Sequence, residues 1–169
     1  VFLRELIKGE RMSVAVWYAT SRPVAMEVGE SLISEAQASS PLIWYEPIHL
    51  FVDTDYPAIV KGWSKCPPMS VQFDDGKVVE IAETDWYFMD YWDLRRILGE
   101  LSSWSKKYDI NWILTAEGQK MGMVKAGKLS WRLRKHLLWS ARSGKATWNE
   151  EQDAARADEL QRKYPFFQD

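Results

Sequence analysis

The sequence predicts an α+β domain: a mostly antiparallel sheet built from hairpins, packed by about four helices, two of them at the C-terminus. Three observations carry this. Two β-type runs bracket "DDG" in "SVQFDDGKVVEI", residues 70–81, and two more bracket "EG" in "INWILTAEGQKMGMVK", residues 110–125. Both are hairpin signals, because aspartate and glycine accept the positive φ of tight turns. Helical patterns do not alternate regularly with the strands, which argues against a doubly wound parallel sheet. The 169 residues suit a single core, with no internal repeat or low-complexity linker to divide them.

Each element has a local reason. "SVAVWYAT", residues 13–20, is apolar on both alternating sets of positions, so it reads as an inner strand buried on both faces. A helix follows from Ser21 as N-cap and Pro23 in the first turn, with Val28, Leu32 and Ala36 on one side and Pro41 as the stop. Gly29 interrupts it, and "VAMEV" reads equally as strand. "LIWYEPIHLFVDTD", residues 42–55, is a strand broken or edged by Pro47, and "YPAIVKGW", residues 56–63, is read as a short helical turn. Asp90 caps the next helix with Asp93 three residues on, and Leu94, Ile97, Leu98, Leu101 and Trp104 recur at helical spacing.

In the second hairpin Gly118 marks the turn, and Gly122 and Gly127 mark bulges or turns. "SWRLRKHLLWSARSGK", residues 130–145, is a helix capped by Ser130 and ending near Gly144. Its core stripe is Leu133, Leu137 and Ala141, extended by Trp131 and Leu138. The last helix opens on a capping box, Thr147 with Glu150, and stops at Pro165.

Composition limits the function classes. An apolar fraction of 46% and a charged fraction of 27% are those of a globular chain. Ten tryptophans are many, and most belong in a core, with a remainder left for contact surfaces. The one cysteine, Cys66, makes no internal disulfide and has no histidine nearby, so a reducing, cytoplasmic location is expected. No apolar run approaches the ~20 residues of a membrane helix. The chain begins at Val1 and its first methionine is Met12, directly before the first strand. Residues 1–11 are therefore expected to be a leader upstream of the native start, and residues 12–169 the single domain.

His49 and His136 are the only histidines and lie far apart, which disfavours triads and metal clusters. The stretch "GQKMGMVKAGK" has Leu129 where a phosphate loop needs serine or threonine. No cofactor, metal or catalytic residue is expected on these grounds. Only carboxylate chemistry through Asp53, Asp55, Glu83 or Asp85, a metal-dependent hydrolase, survives as an enzymatic alternative.

Charge is segregated along the chain. From Glu27 to Asp93 thirteen acidic residues face only Lys61, Lys65 and Lys77. From Gly118 to Asn149 no acid stands against Lys120, Lys125, Lys128, Arg132, Arg134, Lys135, Arg142 and Lys145. Either the two regions neutralise each other in the fold or each presents its own patch.

The expected function is binding of another protein. "ETDWYFMDYWDLRRIL", residues 83–98, sets carboxylates among aromatics, and Glu83, Asp85, Trp86, Tyr87, Tyr91 and Trp92 together form a docking patch for a cationic partner, as in an immunity or antitoxin-like inhibitor. The alternative is nucleic-acid binding through the basic segment 118–149, with Lys128, Trp131, Arg132, Arg134 and Lys135 as contacts, against a sequence pI of 5.8. A homodimer that buries spare aromatics is a further arrangement the composition permits; a membrane partner is not expected.

Overall fold

The computed structural model describes residues 14–38, 48–66, 69–72, 78–81, 91–116, 118–143 and 150–164. The described strands and helices are β1 (Val14–Thr20), α1 (Met26–Ala38), β2 (His49–Phe51), β3 (Lys61–Cys66), β4 (Met69–Gln72), β5 (Val78–Ile81), α2 (Tyr91–Tyr108), β6 (Trp112–Ala116), β7 (Gln119–Lys125), β8 (Lys128–Leu129), α3 (Trp131–Ser143) and α4 (Glu150–Lys163). Six strands form one antiparallel sheet in the order β2-β3-β1-β6-β7-β8, and β4 and β5 pair as a separate hairpin. The α+β architecture is the one read from the sequence. Residues 1–11, read from the sequence as a leader, lie outside the described residues.

The core sits between one face of the sheet and the helices. Alternation decides which side chains enter it: Val16, Tyr18 and Thr20 of β1 are buried, as are Trp112, Leu114 and Ala116 of β6. Helix α2 crosses this face against β3, β7 and β8, with α3 and α4 beside it, while α1 packs on β2. Its expected stripe, Leu94, Ile97, Leu98, Leu101 and Trp104, is wholly interior. The burial goes further round than a stripe, taking in Asp93, Arg95, Arg96 and Glu100, which are paired rather than bare: Arg96 with Asp93 at 3.7 Å, Glu100 with Lys163 of α4 at 2.9 Å.

Four local expectations are corrected. β1 is buried on one face only, the face on which the helices stack; on the other, Trp17 is 46% exposed. Helix α1 starts at Met26 rather than after Ser21, since Val24 and Ala58 exchange backbone hydrogen bonds of 2.8 and 3.1 Å that hold the chain extended. Residues 61–66 form strand β3 instead of a helical turn; Gly62 is what lets β3 lie there, as a Cβ on it would come within 2.7 Å of the His49 carbonyl and run into the Tyr18 ring. On α3, Trp131 and Leu138 do not extend the core stripe. His136 is buried in their place, with Leu133 and Leu137.

Candidate functional site

The acidic aromatic patch is not assembled by the described geometry. Tyr91 and Trp92, read as contact residues, open α2 and are buried in the core, their rings 4.8 Å apart in an edge-to-face arrangement. Both are interior because α2 is covered on all sides there rather than along one stripe, so neither offers surface to a partner. Glu83, Asp85, Trp86 and Tyr87, and Asp90, read from the sequence as a cap, lie outside the described residues. Of the carboxylates considered for catalysis, Asp53 forms a salt bridge with Lys61 at 2.8 Å and Asp55 is exposed. Among the described residues no group of three histidine, cysteine or carboxylate side chains is placed to hold a metal.

The basic segment is brought together. Ser130 starts α3 as expected: its hydroxyl accepts hydrogen bonds from Leu133 N at 3.5 Å and from Met123 N at 3.0 Å, tying the helix to β7 as well as capping it. Gly122 makes room for this junction, at φ 149° beside a bulge; a Cβ there would lie 2.8 Å from Leu133. With Leu133, His136 and Leu137 turned inward, the outer side of α3 carries Trp131, Lys135 and Leu138 in line at helical spacing, with Arg134 and Arg132 on either flank. Trp131 is 72% exposed, and the Lys135 ammonium lies 5.4 Å from its ring centre. Lys125 and Lys128 are cross-strand partners at the adjoining sheet edge.

None of Lys120, Lys125, Lys128, Arg132, Arg134 and Lys135 makes a salt bridge among the described residues. Of the described carboxylates of the acidic region, Glu35 pairs with Lys107 and Asp53 with Lys61, and neither pairs with a cation of the basic segment. The same positive field acts on His136. Burial first, then the nearby Arg132 and Lys135, lowers its pKa from 6.5 to about 3 and keeps the imidazole neutral near pH 7.

A second exposed aromatic surface was not legible as one in the sequence. On the sheet face away from the helices, pairing registers place Lys120, Thr115, Trp17, Trp63 and His49 in one cross-strand row. Met123, Ile113, Ala19, Lys61 and Phe51 form the next row. The Trp17 and Trp63 rings are tilted at 34° with centroids 6.1 Å apart. The signal was present in "KGWSK", where Lys61, Trp63 and Lys65 alternate with Gly62 and Ser64, a period of two with one polar side.

Comparison of the chain with protein-family models, with curated proteins and with solved structures finds no match. Function is therefore argued from the site.

At one end of the sheet, a cleft of about 420 Å³ is lined by Arg22, Asp109, Asn111, Lys125 and Ala126 among others. It continues the basic surface past the end of β1. Asp109 and Ala126 both hold positive φ there, 52° and 51°, one at the C-terminus of α2 and the other in the β7–β8 turn.

Proposed function

We propose that this protein is a binding module for a polyanion, single-stranded nucleic acid, engaged through the basic surface of α3 and the β7–β8 edge. One observation carries the reading: Arg132, Arg134 and Lys135 on α3 with the open indole of Trp131, together with Lys120, Lys125 and Lys128 of β7 and β8, are exposed and form no salt bridge among the described residues. Unpaired cations on a surface hold counterions that a phosphate backbone displaces, and that release drives binding. An exposed indole among them adds a stacking or cation–π contact. The net charge of −2 does not oppose this, because the field that a ligand meets is local within a Debye length of about 8 Å at physiological salt.

The docking reading and its immunity-like version rest on six residues, of which the two described ones are interior, so the basic face is preferred. A cytoplasmic location belongs to the proposal: the single Cys66 calls for no oxidising compartment. No helix among the described residues is long and apolar enough to cross a membrane.

The test is anisotropy titration of a labelled random-sequence single strand at several salt concentrations. Affinity should fall with a log–log slope approaching about −4 if all six cations contact phosphates. Arg132→Glu combined with Arg134→Glu should abolish binding at physiological salt while leaving the fold intact. Salt-independent or absent binding would refute the proposal, and capture instead of a basic protein, lost on Glu83→Ala with Asp85→Ala, would restore the docking reading.

A further inference from the structure

We infer that the open face of the six-stranded sheet is the surface on which bases of the bound strand stack, with Trp17 as the platform; this rests on the polyanion reading above and names the part of the ligand that the sheet reads. Trp17 sits on β1, an inner strand of the sheet, and faces away from the helices with 46% of its surface exposed. Its neighbours at i±2 on the same side are Ala15 and Ala19, so the indole stands clear of its own strand. Trp63, directly opposite in register, backs it on one side, and Thr115 on the other. A large aromatic in that position has no core role, because the core is on the opposite face.

The surroundings select the occupant. Strands lie about 4.8 Å apart, which puts the Lys120 backbone roughly 10 Å from that of Trp17, with its side chain spanning part of the gap. Lys120 closes one end of the tryptophan row, and Lys125 and Lys128 continue the charge to the edge that leads onto α3. A strand whose phosphates follow these lysines can turn its bases inward onto the indole, where Thr115 and His49 in the same row offer hydrogen bonds to base edges. Duplex DNA or RNA hides its base faces in the stack and cannot use this platform. A protein partner would need carboxylates to match the lysine rim. The arrangement of open indole, small flanks and unpaired lysines fits nucleobases joined by phosphates.

The experiment compares a single-stranded oligothymidine 12-mer with a duplex of the same length, titrated into the full chain while anisotropy and tryptophan fluorescence are followed. The unaltered protein should prefer the single strand by about tenfold or more and show quenching on binding. Trp17→Ala should weaken the single strand by roughly 5- to 100-fold, the range of one lost stacking contact, and leave duplex affinity unchanged. Trp17→Phe should retain most of the affinity. Thr115→Glu, which adds a negative charge beside the platform without touching the indole, should weaken the single strand at least tenfold and serves if Trp17→Ala disturbs the fold. Single-strand affinity unchanged in Trp17→Ala and Thr115→Glu, but lost in the α3 double variant, would overturn the platform and leave the polyanion reading standing. No affinity of the unaltered protein for either oligonucleotide would overturn both.

Discussion

Trp112 and Trp17 stand on neighbouring strands and have opposite fates. Trp112 is fully buried, edge-on to Tyr18 with centroids 6.2 Å apart and beside Trp104 at 6.3 Å, whereas Trp17 faces out. Trp112→Ala should therefore cost about 3–5 kcal/mol, as for other large-to-small core changes, and Trp17→Ala less than about 1 kcal/mol. Urea midpoints of the two variants check this, and equal losses would mean that Trp17 is structural after all. Neither fate was readable from composition, since both residues lie in apolar strand runs; only the face assignment separates them. His136 gives a second test. Its folded pKa of about 3 lies below the ordinary 6.5, so the unfolded chain binds more protons between these values and stability falls as pH drops through that window. The loss should be on the order of 2 kcal/mol between pH 7 and pH 5 from this residue, and His136→Gln should flatten that part of the stability profile. An unchanged acid limb in the variant would show that His136 is solvated in the native state. The sequence placed His136 on α3 but gave the inward positions around it to Trp131 and Leu138.

Among the elements, the β7–β8 turn is the one built against its residue preferences. Ala126 and Gly127 are the two central residues of a hairpin turn between Lys125 and Lys128, both with positive φ, 51° and 76°. Glycine meets that requirement and alanine does so at a steric cost. Ala126→Gly should raise stability by about 0.5–1 kcal/mol, measured as a higher denaturation midpoint at unchanged slope. A lower midpoint would mean that Ala126 is held by contacts in the adjoining cleft. The docking of α4 depends on Gly99, where an added Cβ would lie 2.8 Å from the Tyr164 ring. Gly99→Ala should loosen α4 by about 1–3 kcal/mol and speed its proteolysis, whereas wild-type protection would place the α2–α4 contact elsewhere. Elements with strong local signals were legible: the strands on either side of "DDG" and of "EG" pair antiparallel, and the stripe of α2 is interior, as expected. The start of α1 and strand β3 were not, because each is set by pairing with a distant segment. Val24 is held by Ala58, and β3 by β1 and β2.

For the whole molecule, what matters is where the charges end up. Salt bridges engage Glu35, Asp53 and Glu100 with Lys107, Lys61 and Lys163, and leave the cations of residues 120–135 exposed and outside any salt bridge among the described residues. Raising salt should therefore weaken ligand binding strongly while changing stability little, since the described ion pairs of exposed residues contribute at most about 1 kcal/mol each. Parallel salt series of anisotropy and thermal melting check this, and a fold as salt-sensitive as the binding would point to a structural role for the basic surface. The sequence by itself determined the α+β class, the paired strands of the hairpins, the Ser130 cap of α3 and the segregation of charge along the chain, because these depend on neighbours within a few residues and on period. The tertiary structure decided which face of β1 is open, that Tyr91 and Trp92 are core, that Trp131 is not, and that Arg132, Arg134 and Lys135 of α3 lie exposed. Those outcomes depend on which side of the sheet the helices cover, and a strand that is apolar on both sets of positions carries no mark of that choice.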